Sequence, residues 1–223
     1  MRDARRPVEI AAGNVRLAGE LLLPPRARGV VVFAHGSGSS RHSPRNLLVA
    51  RMLSEAGIGT LLFDLLTADE DRVYSTRFDI SLLGSRLVAA TEWLRRKGGV
   101  PDASIGYFGA STGAAAALVA AAEPNQRIAA VVSRGGRPDL AGETVLARVS
   151  APTLLIVGGE DREVIALNRA AFACLRCEKA LQIVPGATHL FEEPGTLEQV
   201  CALASQWFDR WLPVEGESRL QSA

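Results

Sequence analysis

The chain has few cysteines and few aromatic residues, and each shortage excludes a class of protein. Its three cysteines, Cys174, Cys177 and Cys201, are too few for a disulfide framework. The first two form a C-x-x-C pattern, but no second pair or neighbouring histidine accompanies them, which argues against a zinc or redox site. Aromatic residues make up only 5% of the chain, which argues against an aromatic-lined lipid channel.

An excess of one charge and a long apolar run are also missing. The 25 basic and 24 acidic residues leave a formal net charge of +1, so nothing indicates nucleic acid or an anionic membrane as a partner. No apolar run reaches the length of a membrane span, and no apolar segment follows the charged N-terminus, Met1 to Pro7. We therefore expect a cytoplasmic protein, and no residue pattern predicts a metal site or another cofactor.

What is present is enough for one sizeable core. The chain has 223 residues, of which 48% are hydrophobic, and it shows no internal repeat and no linker. We predict a single domain over residues 1–212, followed by a loose polar tail at 213–223.

The most informative stretch runs from Ser104 to Ala122. A strand-length apolar run breaks at Gly109-Ala110-Ser111-Thr112-Gly113 and continues as an alanine-rich run of high helix propensity. Glycines two residues before and after Ser111 allow a strand and a helix to approach each other at a sharp turn. This pattern predicts a nucleophile elbow, with the amide of Thr112 at a helix N-terminus where it can stabilise an oxyanion. The alternative is a serine N-cap in a glycine-rich turn.

Apolar runs and helical patterns alternate along the rest of the chain. They predict an α/β fold: a mostly parallel sheet with helices on both faces, an N-terminal antiparallel hairpin and no large cap domain. The predicted strands are Val8–Ile10, Val15–Leu23, Gly29–Ala34, Gly59–Leu66, Ile105–Phe108, Ile128–Val132, Thr153–Val157 and Ala180–Val184; the predicted helices are Pro44–Ala56, Phe78–Arg95, the run after Ser111, Glu163–Cys177 and Thr196–Leu212.

The candidate catalytic groups follow strands, so they should meet at the carboxyl edge of the sheet. A serine nucleophile needs a base and a group that orients the base. His189, after the last predicted strand, is the preferred base, because His35 precedes a Gly-Ser-Gly turn where a backbone-shaping role is favoured. Asp161 is the preferred acid, since its strand directly precedes the strand of His189, and Asp64 is its rival.

Four motifs together resemble the α/β-hydrolase superfamily, and the capless layout is similar to dienelactone hydrolase-like members. The motifs are Gly109-Ala110-Ser111-Thr112-Gly113, His35-Gly36-Ser37-Gly38, Gly158-Gly159-Glu160-Asp161 and Gly186-Ala187-Thr188-His189, in a region from about Val8 to Leu212. The resemblance implies a triad of Ser111, His189 and Asp161, and an oxyanion hole formed by the amides of Thr112 and Ser37. Dienelactone hydrolases proper look to use a cysteine nucleophile, where this chain has serine.

The substrate is predicted less closely than the chemistry. Only about twenty residues separate Val132 from Thr153, where relatives with a lid would insert a cap, so the pocket should be shallow or narrow and formed by loops. We expect a small ester, thioester or lactone as the substrate. The candidate substrate-binding residues are Gly36, Arg41, Arg134 and Arg137. Arginines that point into the site would bind a carboxylate or phosphate of the substrate. The alternative is that these arginines are solvated loop residues. An acyltransferase or peptidase with the same triad and a non-catalytic binding protein both stay open, as does the choice between monomer and homodimer.

Overall fold

A computed structural model describes residues 5–212, so the predicted tail at 213–223 lies outside the described residues. Eight strands and seven α-helices alternate along this part of the chain. The strands are β1 (Arg6–Ala12), β2 (Val15–Leu22), β3 (Val30–Ala34), β4 (Gly59–Phe63), β5 (Ile105–Ala110), β6 (Ala130–Arg134), β7 (Thr153–Gly158) and β8 (Lys179–Val184). The helices are α1 (Pro44–Glu55), α2 (Ala68–Arg72), α3 (Ile80–Lys97), α4 (Thr112–Ala121), α5 (Glu143–Leu146), α6 (Arg162–Cys174) and α7 (Thr196–Trp211). Short 3₁₀ helices at Tyr74–Phe78 and Pro138–Ala141 connect some of them.

The strands form one sheet in the order β1-β2-β4-β3-β5-β6-β7-β8. The first two strands pair in antiparallel fashion across a two-residue turn, with Ala12 opposite Val15, and β2 pairs antiparallel to β4. From β4 to β8 every pairing is parallel. The structure therefore confirms the predicted mostly parallel sheet with an N-terminal antiparallel hairpin.

The central strands are apolar on both faces because helices cover both faces of the sheet. Every residue of β3, β4, β5, β6 and β7 is buried. Leu53 of α1 and Phe208 of α7 belong to the core on one face, whereas Leu87 of α3 and Leu118 of α4 belong to the core on the other. This arrangement holds the carboxyl ends of the parallel strands at one edge.

Close backbone approach explains two glycines of the core. A Cβ on Gly84 of α3 would lie 2.8 Å from Val119 of α4, and one on Gly106 of β5 would lie 2.6 Å from the Phe208 ring of α7. Small residues therefore bring α4 and α7 tightly against their neighbours. Since β5 and α4 carry the Ser111 turn between them, this packing fixes the position of that turn.

Several predicted boundaries differ from the structure. The predicted helices do not include α2, which begins with a capping box of Thr67 and Glu70. The strand predicted at Ile128–Val132 instead covers Ala130–Arg134, and the helix predicted to reach Cys177 ends at Cys174. None of the helices within residues 5–212 is both long enough and apolar enough to cross a membrane.

Candidate active site

Ser111 lies at a sharp turn between β5 and α4. Its backbone has φ of 51° and ψ of −123°, a positive φ that few residues other than glycine adopt. A Cβ on Gly109 would lie 2.7 Å from the nitrogen of Ala114, and one on Gly113 would lie 2.5 Å from the carbonyl oxygen of His35. The glycines at these two positions therefore permit the turn that presents the Ser111 side chain, as the sequence predicts for an elbow.

The last two strands bring a histidine and a carboxylate together. His189 Nδ1 donates a hydrogen bond of 2.6 Å to Oδ2 of Asp161, which follows β7 at the start of α6. The imidazole is 39% exposed and the carboxylate 15% exposed. Asp161 thus orients a solvent-accessible imidazole whose other nitrogen, Nε2, has no hydrogen-bond partner among the described residues.

Hydrogen bonds fix the loop that carries Asp161 against the loop that carries His189, and brace the second loop internally. The amide of Glu160 donates to the carbonyl of Ala187 at 3.0 Å, and Glu193 accepts from both the amide and the hydroxyl of Thr188, at 3.1 and 2.6 Å. Those two hydrogen bonds from Thr188 lower the pKa of the Glu193 carboxyl, so it accepts as a carboxylate at neutral pH. His189 is therefore carried on a braced turn.

Ser111 and His189 line one cleft of about 240 Å³ at the carboxyl edge of the sheet. Gly36, Ser37 and Ala110 contribute to the same wall. Within the described residues, no direct hydrogen bond joins Ser111 Oγ to the His189 ring. Such contacts are often long before substrate binds, so the shared cleft is the relevant geometry.

The loop after β3 lines the same cleft as His189. His35 is buried; its Nδ1 bonds to the carbonyl of Gly36 at 3.0 Å and its Nε2 accepts from the amide of Leu65 at 3.0 Å. Burial lowers the pKa of His35, because desolvation penalises the imidazolium, so the ring is neutral and works as a brace. The adjacent Ser37 amide donates to the Thr112 hydroxyl at 2.8 Å. This amide, predicted to bind an oxyanion directly, therefore already has a partner.

The pairing of β6 with β5 places Arg134 at the cleft. Arg134 is paired with Ala110 at the end of β6, and its carbonyl accepts from the Ser111 amide at 3.3 Å. The residue is 6% exposed, its Nε has no partner among the described residues, and the nearest polar contact is Asn46 Oδ1 at 3.5 Å from Nη2. Burial and the nearby Arg45 guanidinium lower the pKa of Arg134 to about 10, so it stays charged at neutral pH.

Two predicted substrate-binding arginines lie outside this cleft. Arg41 pairs with the carboxylate of Asp64, which also accepts from the Arg41 amide at 2.8 Å. Arg137 pairs with Asp139 at 2.8 Å, and this hydrogen bond raises its pKa. Each guanidinium is already paired with a neighbouring carboxylate and neither residue lines the cleft with Ser111, so the role of Arg41 and Arg137 in substrate binding stays a prediction. The same pairing gives the rival acid, Asp64, a role in fixing a loop.

The sequence analysis missed two polar side chains of the cleft at the N-terminus of α1. Arg45 falls within the predicted helix Pro44–Ala56 and lies in the first turn of α1, where Glu192 of the His189 loop pairs with it at 3.1 Å. Asn46, buried beside it, follows the N-cap Ser43. The Ser-Pro start of the helix was the available signal, because a helix that follows a parallel strand begins at the carboxyl edge of the sheet.

A larger cleft, of about 480 Å³, lies where β5 and β6 begin and contains Arg95, Asp102 and Arg127. Arg95 is already bonded to the Arg127 carbonyl at 2.9 Å. This cleft holds none of Ser111, His189 or Asp161, so size alone does not identify the site.

Comparison with known proteins agrees with this architecture. Residues 29–155 match the family model described as alpha/beta hydrolase fold. A dienelactone hydrolase from Anabaena variabilis is 53% identical, with a TM-score of 0.91 over 95% of this chain and 99% of that one. Est1E from Butyrivibrio proteoclasticus, 16% identical with a TM-score of 0.79 over 92% of this chain and 98% of that one, shares the fold.

A curated relative carries a different name. A protein of Mycobacterium tuberculosis (strain H37Rv) is 60% identical over 201 residues, 90% of this chain, and is named "Putative phosphoribosyl transferase". The match covers 45% of that protein, so this chain spans about half the length of the relative. The family match, the 53% identity and the shared topology lead to one conclusion: the chain belongs to the alpha/beta hydrolase superfamily and is similar to its dienelactone hydrolases.

Proposed function

We propose that the protein is a serine hydrolase that cleaves a small carboxylic ester, thioester or lactone through an acyl-enzyme on Ser111. The observation that carries the proposal is the pairing of His189 with Asp161 in the cleft where Ser111 is presented in a strained conformation. A serine hydroxyl needs a positioned base, and a base needs a fixed tautomer. These three residues supply the nucleophile, the base and the orienting acid.

In the proposed reaction, Ser111 Oγ attacks the substrate carbonyl while His189 Nε2 takes the hydroxyl proton. Asp161 accepts from Nδ1 throughout and stabilises the imidazolium that forms. The imidazolium then protonates the leaving group, and the same base activates a water that releases the acid. The amide of Thr112, which has no partner among the described residues, is available to the oxyanion and is worth about 3 kcal/mol of barrier.

The cleft favours a small substrate that carries a negative charge. Its volume of about 240 Å³ accommodates a few carbon and oxygen atoms. Arg134 is a buried guanidinium without a carboxylate partner among residues 5–212, whereas Arg45 is held by Glu192. Burying an unpaired charge is costly, so a carboxylate or phosphate on the substrate is the natural partner for Arg134.

Water is the acceptor that the exposure of the site favours. The 39% exposed His189 side chain is open to solvent, so water can reach the acyl-enzyme. An acyltransferase or peptidase would use the same groups with another acceptor, and the phosphoribosyl transfer in the relative's name concerns a protein about twice as long. A small-molecule substrate, the absence of nucleic acid and membrane partners, and a cytoplasmic location stay predictions.

The test is turnover of a series that includes 4-nitrophenyl acetate and butyrate, a short thioester and a γ-lactone. The wild-type protein should hydrolyse at least one class, and Ser111→Ala and His189→Ala should each lose at least about a thousandfold in kcat. Ser85→Ala is the matched control, because Ser85 is an exposed helical serine bonded to the Leu82 carbonyl. Equal activity in Ser111→Ala and in the control would refute the proposal.

A further inference from the structure

The hydrogen bond between the Ser37 amide and the Thr112 hydroxyl lies beside the nucleophile. A Cβ on Gly36, the residue before Ser37, would lie 3.1 Å from Ser111 Cβ and 3.8 Å from its Oγ. Thr112 directly follows Ser111 and is 4% exposed. Ser37 lines the cleft together with Ser111, and Thr112 is the next residue after the nucleophile, so the 2.8 Å hydrogen bond between the Ser37 nitrogen and the Thr112 oxygen lies at the turn beside Ser111.

Thr112 has two donor groups without an acceptor in residues 5–212. A hydroxyl accepts through its lone pairs and donates one hydrogen. The oxygen of Thr112 accepts from Ser37, but its hydrogen has no acceptor within residues 5–212. The backbone N–H of the same residue, at the start of α4, is also without an acceptor in this part of the chain. One residue next to the nucleophile thus carries two hydrogens ready to be donated.

We propose that the Thr112 hydroxyl is a catalytic group that donates to the oxyanion, together with the Thr112 amide. The assignment rests on the proposed hydrolase function and changes the predicted pair of donors. Ser37 acts through Thr112: its N–H donates to Oγ1, and Oγ1–H donates to the oxygen that gains negative charge. No proton is transferred in this step, and donation from Ser37 polarises the hydroxyl and strengthens the second bond.

The residue type suits this role. Threonine is branched at Cβ, so its hydroxyl is held in few rotamers, whereas valine has the same shape without the hydroxyl. The other interpretation is that the hydroxyl only occupies the Ser37 amide and competes with the substrate for it. If the hydroxyl donates to the oxyanion, its removal lowers kcat; if it competes with the substrate for the Ser37 amide, its removal raises kcat. An experiment can therefore distinguish the two interpretations.

The experiment compares wild type, Thr112→Val and Thr112→Ser on the best ester from the series above. As a lost oxyanion donor, Thr112→Val should lower kcat by about a hundredfold with KM changed by less than about threefold. Thr112→Ser keeps the hydroxyl and should recover most of kcat. With the matching thionoester, whose sulfur accepts hydrogen bonds weakly, the ratio of wild type to Thr112→Val should approach one.

A kcat in Thr112→Val equal to or above that of wild type would overturn the proposal, and so would an equal loss on ester and thionoester. Thr112→Ala, read in the same way, replaces Thr112→Val if valine prevents folding. Wild-type protein that neither turns over an ester nor reacts with a fluorophosphonate at Ser111 would instead refute the hydrolase function. Labelled wild type with a fully active Thr112→Val refutes only the role of Thr112.

Discussion

Replacing Arg134 by methionine should stabilise the fold while weakening recognition of an anionic substrate. The guanidinium is 6% exposed and has no carboxylate partner in residues 5–212, and burial lowers its pKa from 12.5 to about 10. At about 1.4 kcal/mol for each pKa unit, this lowering corresponds to about 3 kcal/mol by which the folded state disfavours the charge. The penalty is fully present at neutral pH, because both pKa values lie well above 7.

Methionine has a similar length and no charge, so Arg134→Met removes this penalty. The substitution also removes the contact of the guanidinium with the Phe191 ring, 5.9 Å from its centroid, and the 3.5 Å contact with Asn46. We therefore expect a net gain of about 1 to 3 kcal/mol in the free energy of unfolding, or several degrees in Tm. The proposed function of Arg134 and the stability of the fold therefore make opposite demands at this position.

The assays are urea unfolding and the ratio of kcat/KM for a mono-4-nitrophenyl ester of glutarate to that for 4-nitrophenyl acetate. Loss of a charge-assisted hydrogen bond should lower this ratio at least tenfold in Arg134→Met. Arg137→Met is the control: its hydrogen bond to Asp139 raises the pKa of Arg137, so its removal should bring no gain in stability and no change in the ratio. A less stable Arg134→Met with an unchanged ratio would refute the reasoning.

Two further predictions concern the frame of the site. Gly113→Ala should lower the free energy of unfolding in urea by about 3 kcal/mol or more, because its Cβ would overlap the Ala34 carbonyl. Gly57→Ala is the control: its Cβ would meet open space, so only the positive φ of 78° should lower the free energy of unfolding, by about 1 kcal/mol. Equal losses in the two variants would contradict this argument. The free energy of unfolding should fall as pH drops below 6.5, since burial lowers the pKa of His35 and the unfolded chain then binds the extra proton; above 6.5 this contribution is complete. His35→Asn should lose that part of the pH dependence, and an identical pH profile in the variant would exclude His35 as its source.

The sheet and the position of the candidate site at its carboxyl edge follow from local sequence signals. Continuous apolar runs mark strands that are buried on both faces, and small residues around Ser111 permit only a sharp turn. Because parallel strands end at one edge, Asp161 and His189 could be predicted to lie near each other before any distance was known. Their 2.6 Å hydrogen bond confirms that they meet.

Long-range pairing limits what the sequence predicts about the rest of the cleft. Arg41 lies in the loop after β3 and Arg134 ends β6, but the first meets the carboxylate of Asp64 and the second meets no carboxylate among the described residues. Which arginine remains unpaired depends on where each strand ends, and the bounds of β6 were predicted about two residues too early. The contact of Ser37 with Thr112 likewise joins residues far apart in sequence.

The central claim, that Ser111 is an activated nucleophile, is tested most directly by reaction with a fluorophosphonate followed by peptide mass spectrometry. The account predicts a single adduct on Ser111 in wild type, a greatly slowed reaction in His189→Ala and no adduct in Ser111→Ala, with Ser85→Ala labelled like wild type. Circular dichroism establishes that each protein is folded. A folded wild-type protein that stays unlabelled, or that carries the adduct on another residue, would contradict the account.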